Sequence, residues 1–302
     1  YFSLGEITFT DAQGNVLRDD KPSEFELTGA YAFRLGKRFS IGINGKFAYS
    51  NLTGGIPVAG VNTKPGIVGA TDLSFTYLND EAKLGKIKGV YTCAITLNNI
   101  GNKVAYSELS RRDFIPMNMK IGNSFTVQNN SYNKLTFSVD LQRLLVPTPA
   151  KYIVVDGQNT LISGKPNDIG VIAGMLQSFS DAPGTVLEDE DGNYIQNEDG
   201  TYAIAKWSRL KEELSEINIA AGVEWWYNDV FALRSGIFYE SKNKGNRQFL
   251  NLGASLKYNA FAIDFSYLAS LNGRQSPLAN TLRFTLRFNI GGVTTSKTEE
   301  PK

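Results

Sequence analysis

Residues 280 to 290 read Asn-Thr-Leu-Arg-Phe-Thr-Leu-Arg-Phe-Asn-Ile, which places Leu282, Phe284, Leu286, Phe288 and Ile290 at every second position. Arg283, Thr285, Arg287 and Asn289 fall between them. Strand side chains alternate sides, so this segment has one wholly apolar face and one strongly polar face. Such a strand needs an apolar medium on one side and a wet, polar space on the other. An outer-membrane β-barrel supplies both, as lipid outside and a hydrated lumen inside. Two stacked soluble sheets would also alternate, but their solvent faces carry more Lys and Glu than these segments do.

The pattern recurs along the chain. Twelve segments are predicted as strands: 1 to 9, 25 to 35, 39 to 49, 71 to 78, 87 to 98, 117 to 127, 134 to 144, 217 to 227, 231 to 240, 249 to 258, 261 to 269 and 280 to 290. Each is about 9 to 12 residues long, the length a tilted strand needs to cross a bilayer. Alternation is blurred in the first of them around Gly5 and Glu6. The connections alternate in length. Short turns at 36 to 38, 79 to 86, 129 to 133, 228 to 230 and 259 to 260 are built mostly on Asn and Gly, which tolerate turn geometry. Between them lie 10 to 24, 51 to 70, 99 to 116, 145 to 216, the brief 241 to 248 and 270 to 280. Short periplasmic turns and long outer loops are expected of an outer-membrane barrel, and counting back from a periplasmic end of the last strand assigns every short turn to the periplasm. The predicted fold class is therefore all-β, a transmembrane antiparallel β-barrel of the outer membrane.

The charges follow the same division. Arg34, Lys46, Asp72, Lys88, Lys120, Asp140, Glu224, Arg234, Glu240, Lys257, Asp264, Arg283 and Arg287 are assigned to the inward faces, and the opposite faces carry essentially no charge. An Arg or Lys facing lipid at mid-bilayer costs about 2 to 4 kcal/mol. Mixed signs predict an ion-pair network filling the lumen rather than a single-sign selectivity ring. Its expected members are Arg34, Lys46, Asp140, Glu224, Arg234, Lys257, Asp264, Arg283 and Arg287.

Composition then narrows the function. A net charge of +1 over 302 residues argues against a nucleic-acid partner. Histidine is absent, which removes Ser-His-Asp, Cys-His and His-ligated metal chemistry. Cys93 stands alone, so it makes no internal disulfide and no zinc site, and a strand's apolar face is its expected place. No phosphate-binding glycine loop or catalytic carboxylate pair is found; no cofactor is expected and the chain reads as non-enzymatic. The chain opens at Tyr1 with neither an initiator Met nor a signal peptide, so a fragment or processed chain is expected.

The 145 to 216 segment breaks the rhythm. Val146-Pro147-Thr148-Pro149 cannot lie in a central strand, because proline lacks the donor. Residues 169 to 179 predict a short buried helix, and Ser180-Asp181-Ala182-Pro183-Gly184 a turn after it. Trp207, Leu210 and Leu214 at helical spacing predict a second, amphipathic helix over 206 to 214. Loops this long are uncommon without a role. Either it is a lid packed on its own barrel mouth or it presents an apolar surface to a partner protein, and the two can coexist. On the second reading Met175, Leu176, Phe179, Asp181, Pro183 and Trp207 are the contact residues. Asp189, Asp191 and Asn193 look like the start of a calcium loop, but position 12 is Gly200 rather than Glu, so two hairpin turns are expected instead. Asn129-Asn130-Ser131 matches a glycosylation sequon inside a predicted periplasmic turn and carries no weight.

Tyr1 to Ile7 (YFSLGEI), Leu144 to Pro149 (LLVPTP), Gln177 to Gly184 (QSFSDAPG), Glu224 to Asn228 (EWWYN) and Pro277 to Phe284 (PLANTLRF) together resemble the PorV family, outer-membrane proteins of the type IX secretion system of Bacteroidetes. The resemblance implies a FadL-like barrel of 14 strands, of which about 12 are visible, with the front strands and a plug segment missing. It places residues 1 to 291 in one barrel and 292 to 302 in a C-terminal tail. It also implies a non-enzymatic role in a Gram-negative outer membrane, in contact with its lipid and lipopolysaccharide. Family members bind secreted cargo carrying a C-terminal signal domain at the translocon SprA (Sov) and pass it to the PorU attachment complex. The alternative implied by the FadL-like architecture is a channel for hydrophobic small molecules.

Overall fold

The computed structural model describes residues 1–3, 5–11, 13–57, 61–107, 112–128, 130–155, 157–273 and 280–288. Asn289, Ile290, Asn129, the quoted residues 277–279 and the 292–302 tail lie outside the described residues. In order, the elements are β1 (Phe2–Ser3), β2 (Ile7–Thr10), β3 (Val16–Asp20), β4 (Ser23–Arg34), β5 (Phe39–Asn51), β6 (Gly66–Leu84), β7 (Ile87–Gly101), β8 (Asn118–Gln128) and β9 (Asn133–Leu144). They continue as β10 (Lys151–Val155), β11 (Gln158–Ser163), α1 (Val171–Gln177), α2 (Ser208–Ser215), β12 (Ile217–Tyr227), β13 (Phe231–Tyr239), β14 (Gln248–Tyr258), β15 (Phe261–Ser270) and β16 (Thr281–Phe288).

Twelve strands form one sheet in the order β1-β4-β5-β6-β7-β8-β9-β12-β13-β14-β15-β16, a meander interrupted where β2 and β3, and then β10, β11, α1 and α2, intervene. Every register determined in it is antiparallel. The chain is all-β, with the strand order of a transmembrane β-barrel, and among the described residues the sheet ends at β1 and β16 without closing on itself.

Eleven predicted strands become single strands of this sheet; the first does not. It breaks at Gly5, whose φ of 81° lies outside strand geometry, leaving the two-residue β1 on the large sheet. The rest, β2, pairs with β3 in a separate two-stranded sheet. The predicted turn at 79 to 86 is also corrected. β6 and β7 run on to Leu84 and Ile87, and the turn is Gly85 and Lys86, with Gly85 at φ 61°. β10 and β11 form a further hairpin inside the long loop that alternation did not announce.

Apolar alternation is preserved in the registers. Phe265 faces Phe284 and Phe261 faces Phe288 across β15 and β16, with edge-to-face rings 5.1 and 5.2 Å apart. Phe25 faces Tyr49 across β4 and β5, stacked at 5.7 Å. These aromatic faces are not covered by protein: Leu27 is 71% exposed and Phe284 64%. Two stacked soluble sheets would have buried them, so that alternative is set aside.

The chain divides into two compact units: Tyr1–Tyr77 with Ala94–Lys120 and Gln142–Glu216, and Leu78–Cys93 with Ile121–Leu141 and Ile217–Lys302. The first holds the apolar core, in which Ile115, the fully buried Met117 and Leu145 pack with Phe114, Met119, Val146, Val171 and Met175. That core fastens α1 to the sheet. Gly174 sits in the middle of α1, where glycine costs about 1 kcal/mol relative to alanine. A Cβ there would come within 2.7 Å of the Phe114 ring, so the close approach explains the residue. In the second unit the aromatic pairs of β15 and β16 carry the outer face while the inner face is polar.

Candidate functional site

The 145–216 loop is built around Arg143, at the end of β9. Its Nη2 donates to the Ser178 carbonyl at the end of α1, to a Glu213 carboxylate oxygen, and to Glu216 Oε2 at 2.8 Å. The guanidinium also lies 5.2 Å from the Phe179 ring centroid. Each glutamate is held a second time: Glu213 Oε1 accepts from the Ala182 amide at 2.9 Å, and Glu216 Oε1 accepts from Thr148 Oγ1 at 2.7 Å. Glu212 Oε2 accepts from the Gly184 amide at 2.8 Å. The acidic side of α2 is thus stitched to Arg143 and to the 182–184 turn. Arg143 and both glutamates are nearly buried, a setting in which charge-assisted hydrogen bonds are strong and unpaired charges costly.

Asp181 lies beneath this cluster, 1% exposed. Its Oδ2 accepts from the Thr148 amide at 3.1 Å, while Oδ1 and Arg143 Nε are buried without a hydrogen-bond partner among the described residues. Burial pushes the Asp181 carboxyl above its ordinary range, Glu216 and Glu213 add to the rise, and the Thr148 amide opposes it.

With its acids turned inward, α2 shows its apolar side outward. Trp207, Leu210 and Leu214 are all exposed, Trp207 by 69% and Leu214 by 59%. Trp207 starts the helix in the left-handed region at φ 64°. On α1, Ile172 and Leu176 are exposed one turn apart, with Phe179 beyond the helix end. The expected buried helix is therefore corrected: α1 buries Gly174 and packs Met175 and Val171 against the core, but turns Ile172 and Leu176 outward. Of the six expected contact residues, Leu176, Phe179 and Trp207 reach the surface. Met175 packs in the core, while Asp181 and Pro183 are buried and support the surface from behind.

Both predicted hairpin turns form downstream, closed by Glu188 opposite Tyr194 and Gln196 opposite Tyr202. Asp189 Oδ1 accepts from the amides of Asp191 and Asn193, at 3.0 and 2.8 Å, which commits it to the turn and holds its carboxyl below the ordinary range.

On the polar faces the nine expected network residues separate. In the second unit Arg234 donates to Glu224 and to Ser255 Oγ, approaches Asp264 Oδ1 at 3.4 Å and lies 5.5 Å from the Trp226 ring centroid. Arg287 donates to Asp264 Oδ2 at 2.8 Å, so one chain of contacts crosses β12 to β16. A cavity of about 390 Å³ beside it is lined by Ser138, Glu224, Arg234, Asn251 and Asp264. In the first unit Lys46 Nζ meets Asp72 Oδ2 at 2.8 Å, and Asp72 also accepts from Asn44 Nδ2 and the Asn99 amide. Arg34, Asp140, Lys257 and Arg283 make no ion pair among the described residues.

Sequence reading passed over Arg143, Glu213 and Glu216. A signal existed: counting by twos along β9 from Phe137, Val139 and Leu141 reaches Arg143, a cation in line with apolar residues that needs a partner to cover it.

An antiparallel twelve-stranded sheet with uncovered aromatic faces, charged inner faces and one elaborated loop defines a protein of the outer-membrane β-barrel class. Within that class, the family model of the type IX secretion system protein PorV matches residues 1–151, half of the 302 residues, and the chain belongs to that family. The match contains the 1–7 and 144–149 motifs; those at 177–184, 224–228 and 277–284 lie beyond it. Comparison with curated proteins finds no match.

Proposed function

We propose that this protein is a non-enzymatic outer-membrane component of type IX secretion. In this reading it binds secreted cargo through the cargo's C-terminal signal domain at the SprA (Sov) translocon and hands it to the PorU attachment complex. Membership of the PorV family carries the reading. The uncovered apolar faces of β4, β5, β15 and β16 support an outer-membrane setting, because lipid is the medium that removes such faces from water. The exposed row Ile172, Leu176 and Phe179 on and after α1 supports protein docking, since apolar side chains presented by a braced element are the raw material of interface hot spots. A channel for hydrophobic small molecules would need an apolar passage, and three charged side chains, Glu224, Arg234 and Asp264, stand in the lining of the cavity beside Arg234.

The test is co-purification from detergent-solubilised outer membranes of a type IX secreting host. The double variant Leu176→Glu, Phe179→Glu should reduce capture of translocon and cargo by about tenfold or more, the scale of losing a hot spot. Undiminished capture by a correctly folded variant would refute the docking reading.

A further inference from the structure

We propose that the outward face of α2 is an interfacial docking site for the anionic headgroups of a membrane surface, an inference that rests on the outer-membrane reading above. The argument starts from how charge is sorted around the helix. Glu212, Glu213 and Glu216 all face inward and are engaged, with the Gly184 amide, with Arg143 and the Ala182 amide, and with Arg143 and Thr148. The outward side carries Trp207, Leu210 and Leu214, and beside them the exposed Lys206 and Lys211, whereas Arg209 lies on the side of the glutamates, against the Gly184 turn. Neither of these two lysines forms an ion pair among the described residues, and Lys206 Nζ lies 5.9 Å from the Trp207 ring centroid.

A surface of Trp and Leu flanked by cations, with every nearby helix acid withdrawn, complements a layer that is apolar inside and phosphate-bearing at its rim. Trp favours that boundary, and long cationic stems let Lys and Arg lie along the apolar surface while their heads reach phosphates. The placement fits. α2 is fastened to Arg143, so it sits at the end of β9. Arg143 itself falls in the two-residue count of the apolar residues Phe137, Val139 and Leu141, the side of β9 that would meet lipid. The rest of the loop gives the orientation. The hairpin segment 188–199 carries Glu188, Asp189, Glu190, Asp191, Glu198 and Asp199, whereas the outward side of 206–211 carries two lysines. An anionic surface attracts the second segment and repels the first, which turns α2 toward the membrane and the acidic hairpins away from it. The loop would thereby be steadied at the end of β9 while the α1 row stays free for protein.

The test uses the full chain with Trp225→Phe and Trp226→Phe, leaving Trp207 as the sole tryptophan, reconstituted in vesicles of phosphatidylcholine with or without phosphatidylglycerol. Trp207 fluorescence should be quenched by brominated lipid, more so with phosphatidylglycerol present, and shielded from aqueous iodide. Lys206→Gln and Lys211→Gln together, or high salt, should abolish the phosphatidylglycerol-dependent part. Three results would overturn the proposal: Trp207 open to iodide and untouched by brominated lipid in both vesicles, equal quenching in both, or shielding that appears only when a protein partner is added. A companion variant keeps only Trp225, which shares its side of β12 with the exposed Val223 and Tyr227. If Trp225 is quenched by lipid and Trp207 is not, the α2 proposal fails alone; if Trp225 escapes as well, the membrane-spanning reading fails with it.

Discussion

Replacing Arg143 by alanine would leave Glu213 and Glu216 nearly buried, side by side and without their cation. Breaking one side of a buried ion pair costs about 3 to 5 kcal/mol, more than a loop helix of eight residues can recover from its own propensity. The expected result is loss of hydrogen-exchange protection across 208–216 with β9 and β12 still protected; unchanged protection in that helix would show that the charges are held some other way. Asp181 makes a prediction with the opposite sign. Its carboxyl ionises near 3.8 when unfolded and at higher pH in the fold, where burial and the two glutamates oppose its charge. Between those two pH values the folded chain binds the additional proton, so stability falls as pH rises through the window, and the loss persists at neutral pH. Asp181→Asn keeps an acceptor for the Thr148 amide and removes the charge. It should therefore stabilise the loop at neutral pH, with the gain vanishing once the pH drops below the unfolded value; a pH series of loop hydrogen exchange on both proteins measures it, and a pH-independent difference contradicts this account.

At the scale of elements, the medium on each side of a strand governs what each position tolerates. Phe265 on β15 faces Phe284 with rings 5.1 Å apart on the uncovered side, while the adjacent Ser266 falls on the opposite, polar side of the strand. Phe265→Lys should cost about 2 to 4 kcal/mol for the lipid-facing cation, plus roughly 0.5 to 1.5 kcal/mol for the lost ring pair. Ser266→Lys should fold into vesicles nearly as the parent does. Heat-modifiable mobility on gels reads folding yield, and equal yields would remove the distinction between the faces. The same physics explains why strands were legible before the structure. Lipid and water act on alternate residues of β4, β5 and β12 to β16, so the pattern is written in each strand separately. The hairpin of β10 and β11 left no such trace, because Lys-Tyr-Ile-Val-Val answers to one local partner rather than to two media. Nor does helical spacing reveal which face of α2 turns inward. Trp207, Leu210 and Leu214 announce a helix, but Arg143, more than 60 residues earlier in sequence, selects the glutamates for the interior. The network on the polar faces was legible as charge sign and side, while its partition among particular partners depends on register and reach.

At the scale of the whole molecule, the strand order leaves two edges. β1 covers β4 only at Ser23 and Glu24, so on that side β4 has no strand neighbour from Phe25 to Arg34 among the described residues. β16 pairs with β15, and from Leu282 to Phe288 its other side likewise has no strand neighbour among the described residues. An unpaired row of backbone donors and acceptors is a template for another strand, and both edges are long and alternate large apolar groups rather than carrying the prolines, bulges or dense charge that blunt exposed edges. In water the cost of leaving them unpaired is modest because solvent satisfies the groups; in a bilayer each unsatisfied group costs several kcal/mol. The 302-residue chain should therefore associate through these edges once it is placed in lipid or detergent. Sedimentation in detergent across a range of protein concentrations, with Cys93 replaced by serine to exclude disulfide linkage, should show dimers and larger species growing with concentration. Hydrogen exchange on the same samples should show protection spreading to amides of β4 and β16 as association proceeds. A chain that stays monomeric throughout, with those amides already protected, would mean that the two edges find each other or a segment of the same chain, and the edge-pairing account would give way.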